Sequence, residues 1–571
     1  MKVADYIALF LERNNVRQVY ELIGGMITHL LDALHRRGKI RIVSMHHEQA
    51  AAFAAEGSAR MTGTPGVALA TSGPGAVNLL TAIGSCYFDS VPTVFITGQV
   101  NRHELRGDRA VRQAGFQETD IVSMAEPITK AAWLALKPDE LPDLLSHAFQ
   151  LTLSGRPGPV LIDIPMDVQR ACIQVPLHPP SVRRLTTQPD LSDSGEMFED
   201  LFRAKRPLIL VGGGIRSACA AEPFRKLADQ LQIPVIHSLM GVDLLPYGHA
   251  LRVGMIGTYG NRWANYALCL ADFLLVLGSR LDIRQTGADV RSFEEGKKIW
   301  HIDIEPGEIN NSLKSCRGIL AELGAFLQST PIQSVSCPDQ RFKTWQERIA
   351  ALRLKWPDTA EQPDLPGIDP NSLMHRLSHS FPQASAFVVD VGQHQMWAAQ
   401  SLELTAEQRF LTSGGMGSMG FALPAGIGVA ISCPGRPVVV IAGDGGFQCN
   451  IQELQTVAYS GLPLKIIIIN NKSLGMVRQF QEDYFESRLQ STVIGYSAPD
   501  FSRVAEAYGI PGRCVKRAEE IDAALGWLYS TSNSPGLLDV WIDLKAKAYP
   551  KTAFGKPIHE MEPHKDNCTK G

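Results

Sequence analysis

A chain of 571 residues is too long for one hydrophobic core and divides into about three domains. Its 45% hydrophobic and 20% charged residues are those of a globular protein, and a net charge of −3 leaves no basic surplus for nucleic acid or an anionic membrane. The longest apolar runs, 437–442 and 464–469, are of strand length and far short of a bilayer span, and ten cysteines without a CxxC pair or a His-Cys cluster read as small buried residues of a reduced cytoplasm.

At the N-terminus, Asp5, Glu12 and Arg13 interrupt apolar residues spaced as one helix face, which predicts an amphipathic helix and not a signal peptide. Strands are predicted at 19–23, 40–44, 66–70, 93–97 and 160–164 with helical segments between them, so residues 1–175 read as a parallel sheet covered on both faces. Glu48 stands at the start of the Ala-rich helix 50–59, where the positive end of the helix dipole is reason enough for a carboxylate. The next strand ends in Thr71-Ser72-Gly73-Pro74-Gly75, whose glycines let backbone approach a ligand, with Asn78 behind them. Phe116-Gln117 and Thr129-Lys130 follow, and Phe116 alone reads as a core residue. Arg156, in Gly155-Arg156-Pro157-Gly158-Pro159, reads alone as a solvated turn arginine.

A Pro-, Ser- and Thr-rich passage, 175–193, reads as a linker into a second domain, 185–345. There the predicted strand 207–211 ends in Gly212-Gly213-Gly214 and opens a helix, a turn that can receive a dinucleotide phosphate although many such turns bind nothing. Arg280 and Arg284 in segment 277–287 suit diphosphate oxygens, and Asp303 at a strand end suits ribose or adenine.

A second linker, 355–370, leads into a third domain, 365–550. The predicted strand 386–391 ends in Gly392-Gln393-His394, donors at a helix N-terminus that suit an anion, unless His394 is simply buried and satisfied. In the glycine run 414–424, Met419 reads as filler. The apolar run 438–442 precedes Gly443-Asp444-Gly445-Gly446, and a second run, 466–469, ends in Asn470-Asn471. In a parallel strand-helix-strand unit both strands end on one edge of the sheet, so Asp444 and Asn471 can arrive side by side as hard oxygen ligands. The plain alternative is a Gly-rich turn in an ordinary doubly wound domain, which the Asn-Asn pair disfavours.

Gly443 to Gly475 resembles the thiamine diphosphate (ThDP) motif, GDG followed by NN, and His47 to Asn78 resembles the pyrimidine-binding half of the acetohydroxyacid synthase family. The likeness runs over nearly the whole chain. It implies three doubly wound, parallel-sheet α/β domains in the order pyrimidine-binding, middle and diphosphate-binding. A tail, 551–571, would follow them; segment 549–563 would fold over the active site, and 564–571 would be disordered. By this resemblance Glu48 hydrogen-bonds the aminopyrimidine and drives the tautomer that takes the proton from the thiazolium C2. Gly73, Pro74 and Asn78 would line the cofactor, with Phe116, Gln117 and Lys130 near the reacting carbonyl. Met419 would wedge the cofactor into its V conformation and the Gly417 carbonyl would accept from the 4'-amino group. Asp444, Asn471 and the Ser473 carbonyl would bind Mg²⁺, with Gln393, His394, Gly445, Gly446 and Gly475 around the diphosphate. Arg156, Gly213, Arg280, Arg284 and Asp303 would hold a non-redox FAD. In the family Glu48 comes from one subunit and Asp444, Met419 and Asn471 from the other, which implies a cytoplasmic homodimer or tetramer with active sites at the interface.

The implied reaction decarboxylates pyruvate and passes its two-carbon unit to a carbonyl acceptor. Simple decarboxylases protonate that unit with a tandem His pair, and none stands near Phe116-Gln117, which favours carboligation. Departures from the family collect where the acceptor would sit. Leu22-Ile23-Gly24-Gly25-Met26 replaces Tyr-Pro-Gly-Gly-Ala, the loop before Phe116 is longer by 106–112, and Phe480, after Met476, replaces the Trp of the acceptor pocket. Trp to Phe changes pocket volume and removes an indole donor, which can redirect specificity without touching the cofactor chemistry. Two acceptors stay open: pyruvate or 2-oxobutyrate, giving acetolactate-type products, or a larger ketone such as a nucleotide-linked 4-keto-deoxysugar of surface-polysaccharide pathways. A non-catalytic regulatory homologue is opposed by the intact Glu48, Asp444 and Asn471.

Overall fold

Aliphatic runs bounded by glycine and polar turns build three six-stranded sheets in the computed structural model, which describes residues 1–175, 179–185, 188–329, 341–531 and 533–564. The first sheet contains β1 (Gln18–Leu22), β2 (Arg41–Ser44), β3 (Gly66–Ala70), β4 (Thr93–Gln99), β5 (Ala131–Leu134) and β6 (Pro159–Pro165), in the order β2-β1-β3-β4-β6-β5. The second contains β7 (Pro207–Val211), β8 (Val235–His237), β9 (Arg252–Met255), β10 (Phe273–Leu277), β11 (Lys298–Asp303) and β12 (Arg317–Leu320), in the order β12-β11-β10-β7-β8-β9. The third contains β13 (Ala386–Val389), β14 (Arg409–Leu411), β15 (Val438–Gly443), β16 (Leu464–Asn470), β17 (Gly512–Val515) and β18 (Gly536–Trp541), in the order β14-β13-β15-β16-β18-β17. Pairing within all three is parallel. The central strands, such as VVVIAG of β15 and LKIIIIN of β16, are buried along their length and show no polar alternation, because helices cover both faces.

The first and third sheets share one strand order, and the middle one is wound as a dinucleotide-binding sheet. Each reverses its winding between two neighbours: β1 and β3, β7 and β10, β13 and β15. Crevices at the carboxyl ends of such strands are where doubly wound sheets take ligands. The turns that open there are 23–26 with 71–74, 212–214 with 278–280, and 390–393 with 444–446.

The first and third domains meet through two helices of small residues. Glu48–Thr62 crosses Ala422–Ser432 so closely that a Cβ on Gly57 would lie 2.3 Å from the Ala425 carbonyl oxygen, and one on Gly428 1.9 Å from that of Ala54. Phe53 and Phe421 close one side edge to face, with ring centroids 5.6 Å apart. Beyond them the buried Arg60 pairs with Glu56 and Asp89 and donates to the Thr412 carbonyl at 2.8 Å, so two carboxylates and a carbonyl answer one buried charge. Burial holds the Glu56 carboxyl up at about 7.

The tail forms a short antiparallel pair, β19 (Lys551–Thr552) with β20 (Met561–Glu562), on the middle domain. The Thr552 amide donates to the Thr258 carbonyl at 2.8 Å. Arg262, paired with Glu361 at 2.7 Å, donates to the carbonyls of Met561 and Pro563. Lys551 reaches Asp483 at 2.5 Å, so the tail also braces the helix Gly475–Tyr484. Residues 565–571, in the stretch expected to be disordered, lie outside the described residues, as do 176–178 and 186–187 of the first linker. Burial of the cysteines holds for Cys86 and Cys316 but not for Cys172, Cys219, Cys449 and Cys514, which are exposed because they sit at loops, helix ends or the edge strand β17. No helix among the described residues is long and apolar enough to cross a membrane.

The crossing of the two small-residue helices makes a prediction. Gly428→Ala drives a methyl into the Ala54 carbonyl and should destabilise the protein by about 1–3 kcal/mol. Gly526→Ala, in the helix Ile521–Ser530 with open space around the new methyl, should instead stabilise by about 0.5–1 kcal/mol. Thermal unfolding of the two variants, with midpoints moving in opposite directions, checks this.

Candidate active site

Pairing of β15 with β16 sets Gly443 opposite Ile469, so both strands stop on one edge and Asp444 and Asn471 leave it together. Asp444 opens the helix Asp444–Gln448 and is buried. Asn471 Oδ1 accepts from the amide and the hydroxyl of Ser473, each at 3.1 Å, and Asn471 Nδ2 donates to Gln393 Oε1 at 3.2 Å. Gln393 and His394, at the start of the helix Gln393–Ser401, arrive from β13, the neighbour of β15. The packing admits no further side chains: a Cβ on Gly475 would stand 2.1 Å from Gln393 Oε1, and one on Gly443 2.9 Å from the His394 ring.

His394 Nε2 is buried and has no hydrogen-bond partner among the described residues, and burial pushes its pKa down to about 3, so the ring is neutral. Burial raises Asp444 to about 6, partly offset by the Tyr496 hydroxyl, which donates to Asp444 Oδ2 at 2.9 Å; a bound cation would favour the carboxylate. Among the described residues no three or more His, Cys, Asp or Glu side chains converge on a metal site. The donors here are one carboxylate, one amide and a backbone carbonyl, a hard oxygen set that suits Mg²⁺, and the orphaned imidazole with the glycine amides of 445 and 446 suits a diphosphate. Gln393, expected at the diphosphate, has its amide protons committed to Gln479 Oε1 at 3.0 Å and the Ala546 carbonyl at 3.1 Å, so it braces Asn471.

The loop that carries Met419 is held from two sides. Asp390, buried after β13, accepts from the amides of Val391, Gly420 and Ala422 at 2.8, 3.0 and 2.9 Å, and burial raises it to about 6. Asp89, from the first domain, accepts from the amides of Gly414 and Gly415 at 3.0 and 2.7 Å. Between these anchors Gly417 takes φ 69°, and Met419, 39% exposed, brings Cε to 3.4 Å from where a Gly445 Cβ would be. The sequence reading missed Asp390 and Tyr496; the only signal for Asp390 is an acid between an apolar strand and Gly392.

A second group gathers where β1 and β3 end. Glu48 is buried at the start of its helix and Oε2 accepts from Asn78 Nδ2 at 3.0 Å. A Cβ on Gly75 would lie 3.1 Å from Glu48 Oε1, and one on Gly73 3.0 Å from the Gln117 Cβ, so the turn around Pro74 touches both. The Met26 amide, beside the exposed Gly25, donates to Thr71 Oγ1 at 3.3 Å. Phe116 is not a core residue: it is 79% exposed on its loop. Lys130, expected near the reacting carbonyl, is committed elsewhere, with Nζ donating to the carbonyls of Leu151, Ser154 and Arg156 at 2.6, 2.5 and 2.9 Å. All three ammonium protons are used in bracing that turn. Within the chain, no hydrogen bond or ion pair among the described residues joins Glu48 to Asp444, Met419 or Asn471.

The third group lines a cleft of about 1230 Å³ at the carboxyl ends of β7 and β10. Gly213, Arg280, Arg284, Asp303 and Arg156 all face it, as do Gly414 and Gly415 of the Met419 loop. Backbones meet at its floor, where a Cβ on Gly212 would stand 2.2 Å from the Gly278 carbonyl oxygen. Arg156 reaches from the first domain to pair with Glu308 at 2.9 Å and to donate to Ser90 at 2.8 Å. Glu322, which the sequence reading also missed, is buried at the cleft 3.6 Å from Arg184, and its Oε1 accepts no hydrogen bond among the described residues. Arginines for a diphosphate and buried acids for ribose or adenine are a donor set that a dinucleotide fits. On the helix Gly475–Tyr484, Met476 is half-buried and Phe480 is 52% exposed, its ring 4.8 Å from Tyr484 and 5.7 Å from Phe485.

A diphosphate corner, a carboxylate held beside a glycine turn and a dinucleotide-type cleft on three parallel sheets define an enzyme of the thiamine diphosphate class. The thiamine pyrophosphate enzyme family matches in all its parts, the N-terminal TPP binding domain at residues 1–124, the central domain at 195–330 and the C-terminal TPP binding domain at 390–540. Similar proteins include an acetolactate synthase of Arthrospira platensis, 38% identical over 96% of each chain. The acetolactate synthase isozyme 2 large subunit of Escherichia coli K12 is 36% identical, over 98% of this chain and 99% of its own. A probable acetolactate synthase large subunit of Methanocaldococcus jannaschii is 37% identical, over 97% of this chain and 94% of its own. The chain therefore belongs to the thiamine diphosphate enzyme family, among the relatives of acetolactate synthase.

Asp390→Asn keeps shape but replaces one acceptor oxygen with a donor, which must face either the Ala422 amide or the amides of Val391 and Gly420. The Met419 loop should loosen, with turnover falling about 10- to 100-fold by misorientation while ThDP affinity changes much less. Steady-state kinetics at saturating cofactor, beside a cofactor titration, measures both.

Proposed function

We propose that the protein is a ThDP- and Mg²⁺-dependent carboligase that decarboxylates pyruvate and transfers the two-carbon unit to a carbonyl acceptor. The supporting observation is that one chain carries receptors for both ends of the cofactor, Glu48 with Asn78 and Asp444 with Asn471, each on the carboxyl-end edge of its own sheet. Bound ThDP supplies a carbanion that adds to the 2-oxoacid and takes up the electrons released with carbon dioxide. The chain's own groups do the rest. Glu48 would exchange a proton with the pyrimidine, Met419 would orient the cofactor, and Asp444, Asn471 and the Ser473 carbonyl would hold Mg²⁺ at the diphosphate. His394, neutral because it is buried, is left to hydrogen-bond the diphosphate from the other side.

Since no bond among the described residues links the two receptors within one chain, a second copy would bring its Asp444 corner to this chain's Glu48, making the working unit a homodimer or tetramer. The exposure of Met419 and Phe116 supports this. For the cleft between the first and middle domains the reading is FAD in a non-redox role. Purified protein should then be yellow and release about one flavin per chain on denaturation; colourless protein would remove FAD from the proposal.

Pyruvate or 2-oxobutyrate as acceptor is supported by the relatives' name, acetolactate synthase. A larger ketone such as a nucleotide-linked 4-keto-deoxysugar is supported by the open aromatic face at Phe480 and by Arg106, Arg109 and Arg112, all exposed on the lengthened loop. Incubation with pyruvate alone separates the two: efficient acetolactate formation supports the first and overturns the second. Glu48→Gln should lower turnover about 10²- to 10⁴-fold with the cofactor still bound. Undiminished turnover in that variant would show that Glu48 has another role.

A further inference from the structure

The middle sheet ends on β9, where Arg252 is 6% exposed and is in no ion pair among the described residues. Its Nε makes no hydrogen bond among the described residues, and its guanidinium lies on the Tyr247 ring, 5.0 Å from the centroid. Arg353, half-buried on the helix Lys343–Lys355, lays its guanidinium on the same ring at 4.7 Å and near Trp263 at 5.7 Å, and is likewise in no ion pair among the described residues. The acids whose charges reach Arg252, Asp358 and Glu403, are already engaged by His375 at 3.0 and 2.7 Å. His237, on the neighbouring strand, offers no countercharge, since burial and Arg252 push its pKa well down. With Gln346 and residues 248–251, the two arginines line a half-open cavity of about 260 Å³, outside the cleft and cofactor corners described above.

A buried guanidinium that touches no carboxylate is costly, and an anion in direct contact would relieve that cost. Tyr247 orients both groups through its ring face, and Arg252 Nε is left without a hydrogen bond among the described residues. We propose that this cavity is a binding site for a small oxyanion, a phosphate or carboxylate group held between Arg252 and Arg353. The planar forks of two guanidiniums suit oxyanion recognition in a way that a lysine pair would not. The site lies at the seam between domains: the Tyr247 amide donates to the Leu404 carbonyl at 2.8 Å, and its ring packs edge-on against His375 with centroids 5.9 Å apart. A bound anion would tie the edge of the middle sheet to the third domain.

The test uses the full chain saturated with ThDP, Mg²⁺ and FAD, so that its other anion sites are filled. Thermal unfolding is followed in inorganic phosphate, in acetate and in chloride at equal ionic strength. A saturable rise in midpoint with phosphate or acetate beyond that in chloride is expected, and the salt that gives it identifies the group. Arg353→Gln should weaken half-saturation at least about tenfold. Arg252→Met should abolish the anion effect while leaving the anion-free midpoint unchanged or higher, because it removes an uncompensated buried charge. Arg353 is half-exposed, so its variant keeps the test decisive if Arg252→Met does not fold. Equal midpoints in the three salts, or an anion effect that survives intact in Arg353→Gln, would overturn the proposal.

Discussion

The diphosphate end of the site depends on one steric constraint: three parallel strands, β13, β15 and β16, stop on a single edge with glycines where their successors must touch. Gly443 leaves room for the His394 ring, Gly475 for the Gln393 and Asn471 amides, and Gly446 for Asp390. Any side chain at these places would separate the strand ends and with them the oxygen donors. Metal and anion binding at this corner is thus a property of backbone approach first and of side-chain chemistry second.

From that corner the constraint passes outward through two buried carboxylates. Asp390 ties the far end of the Met419 loop to β13, and Asp89 ties its near end to the first domain, where Arg60 holds Asp89 in turn. Gly414 and Gly415, the peptides that Asp89 grips, also line the cleft of the middle domain. A dinucleotide there would bear on the backbone that carries Met419, only a few residues away in the chain. Any ligand bound there would thus act on the Met419 loop, whose orienting role would be sensitive to displacements of about 1 Å.

Much of this was legible in the sequence because central strands of a parallel sheet are buried on both faces and read as unbroken apolar runs. Gly66–Ala70 and Pro207–Val211 were located to the residue, and β16 was recognised from its isoleucines alone. The short strands β5, β8, β14 and β17 carry no such signal, being three or four residues long, and β5 and β17 are also partly exposed. Residues that stand in a turn directly after a strand, such as Glu48, Asp444 and Asn471, can be singled out from the sequence, and the structure places each at a strand-end turn. Residues that act by holding another loop, such as Asp390, Asp89 and Glu322, are not singled out in this way, since the contacts that define them link distant parts of the chain. Lys130 shows the reverse case: a family role suggests the reaction centre, yet three nearby carbonyls take every proton it has.

The helix Gly475–Tyr484, where the family resemblance implies the acceptor pocket, carries an exposed aromatic face. Phe480, Tyr484 and Phe485 form a half-exposed aromatic group, and Phe554 of the tail approaches Tyr484 to 5.9 Å. The tail's anchors, Arg262 with its carbonyls and Lys551 with Asp483, fix the segments on either side of Phe554 and leave that ring 81% exposed. The phenyl rings of this surface supply area for stacking and discriminate by size and shape, and the Tyr484 hydroxyl is the one hydrogen-bond donor among these four side chains. The cofactor corner can therefore stay unchanged while the acceptor varies, because none of the glycine contacts that build the corner involves an aromatic side chain of this group.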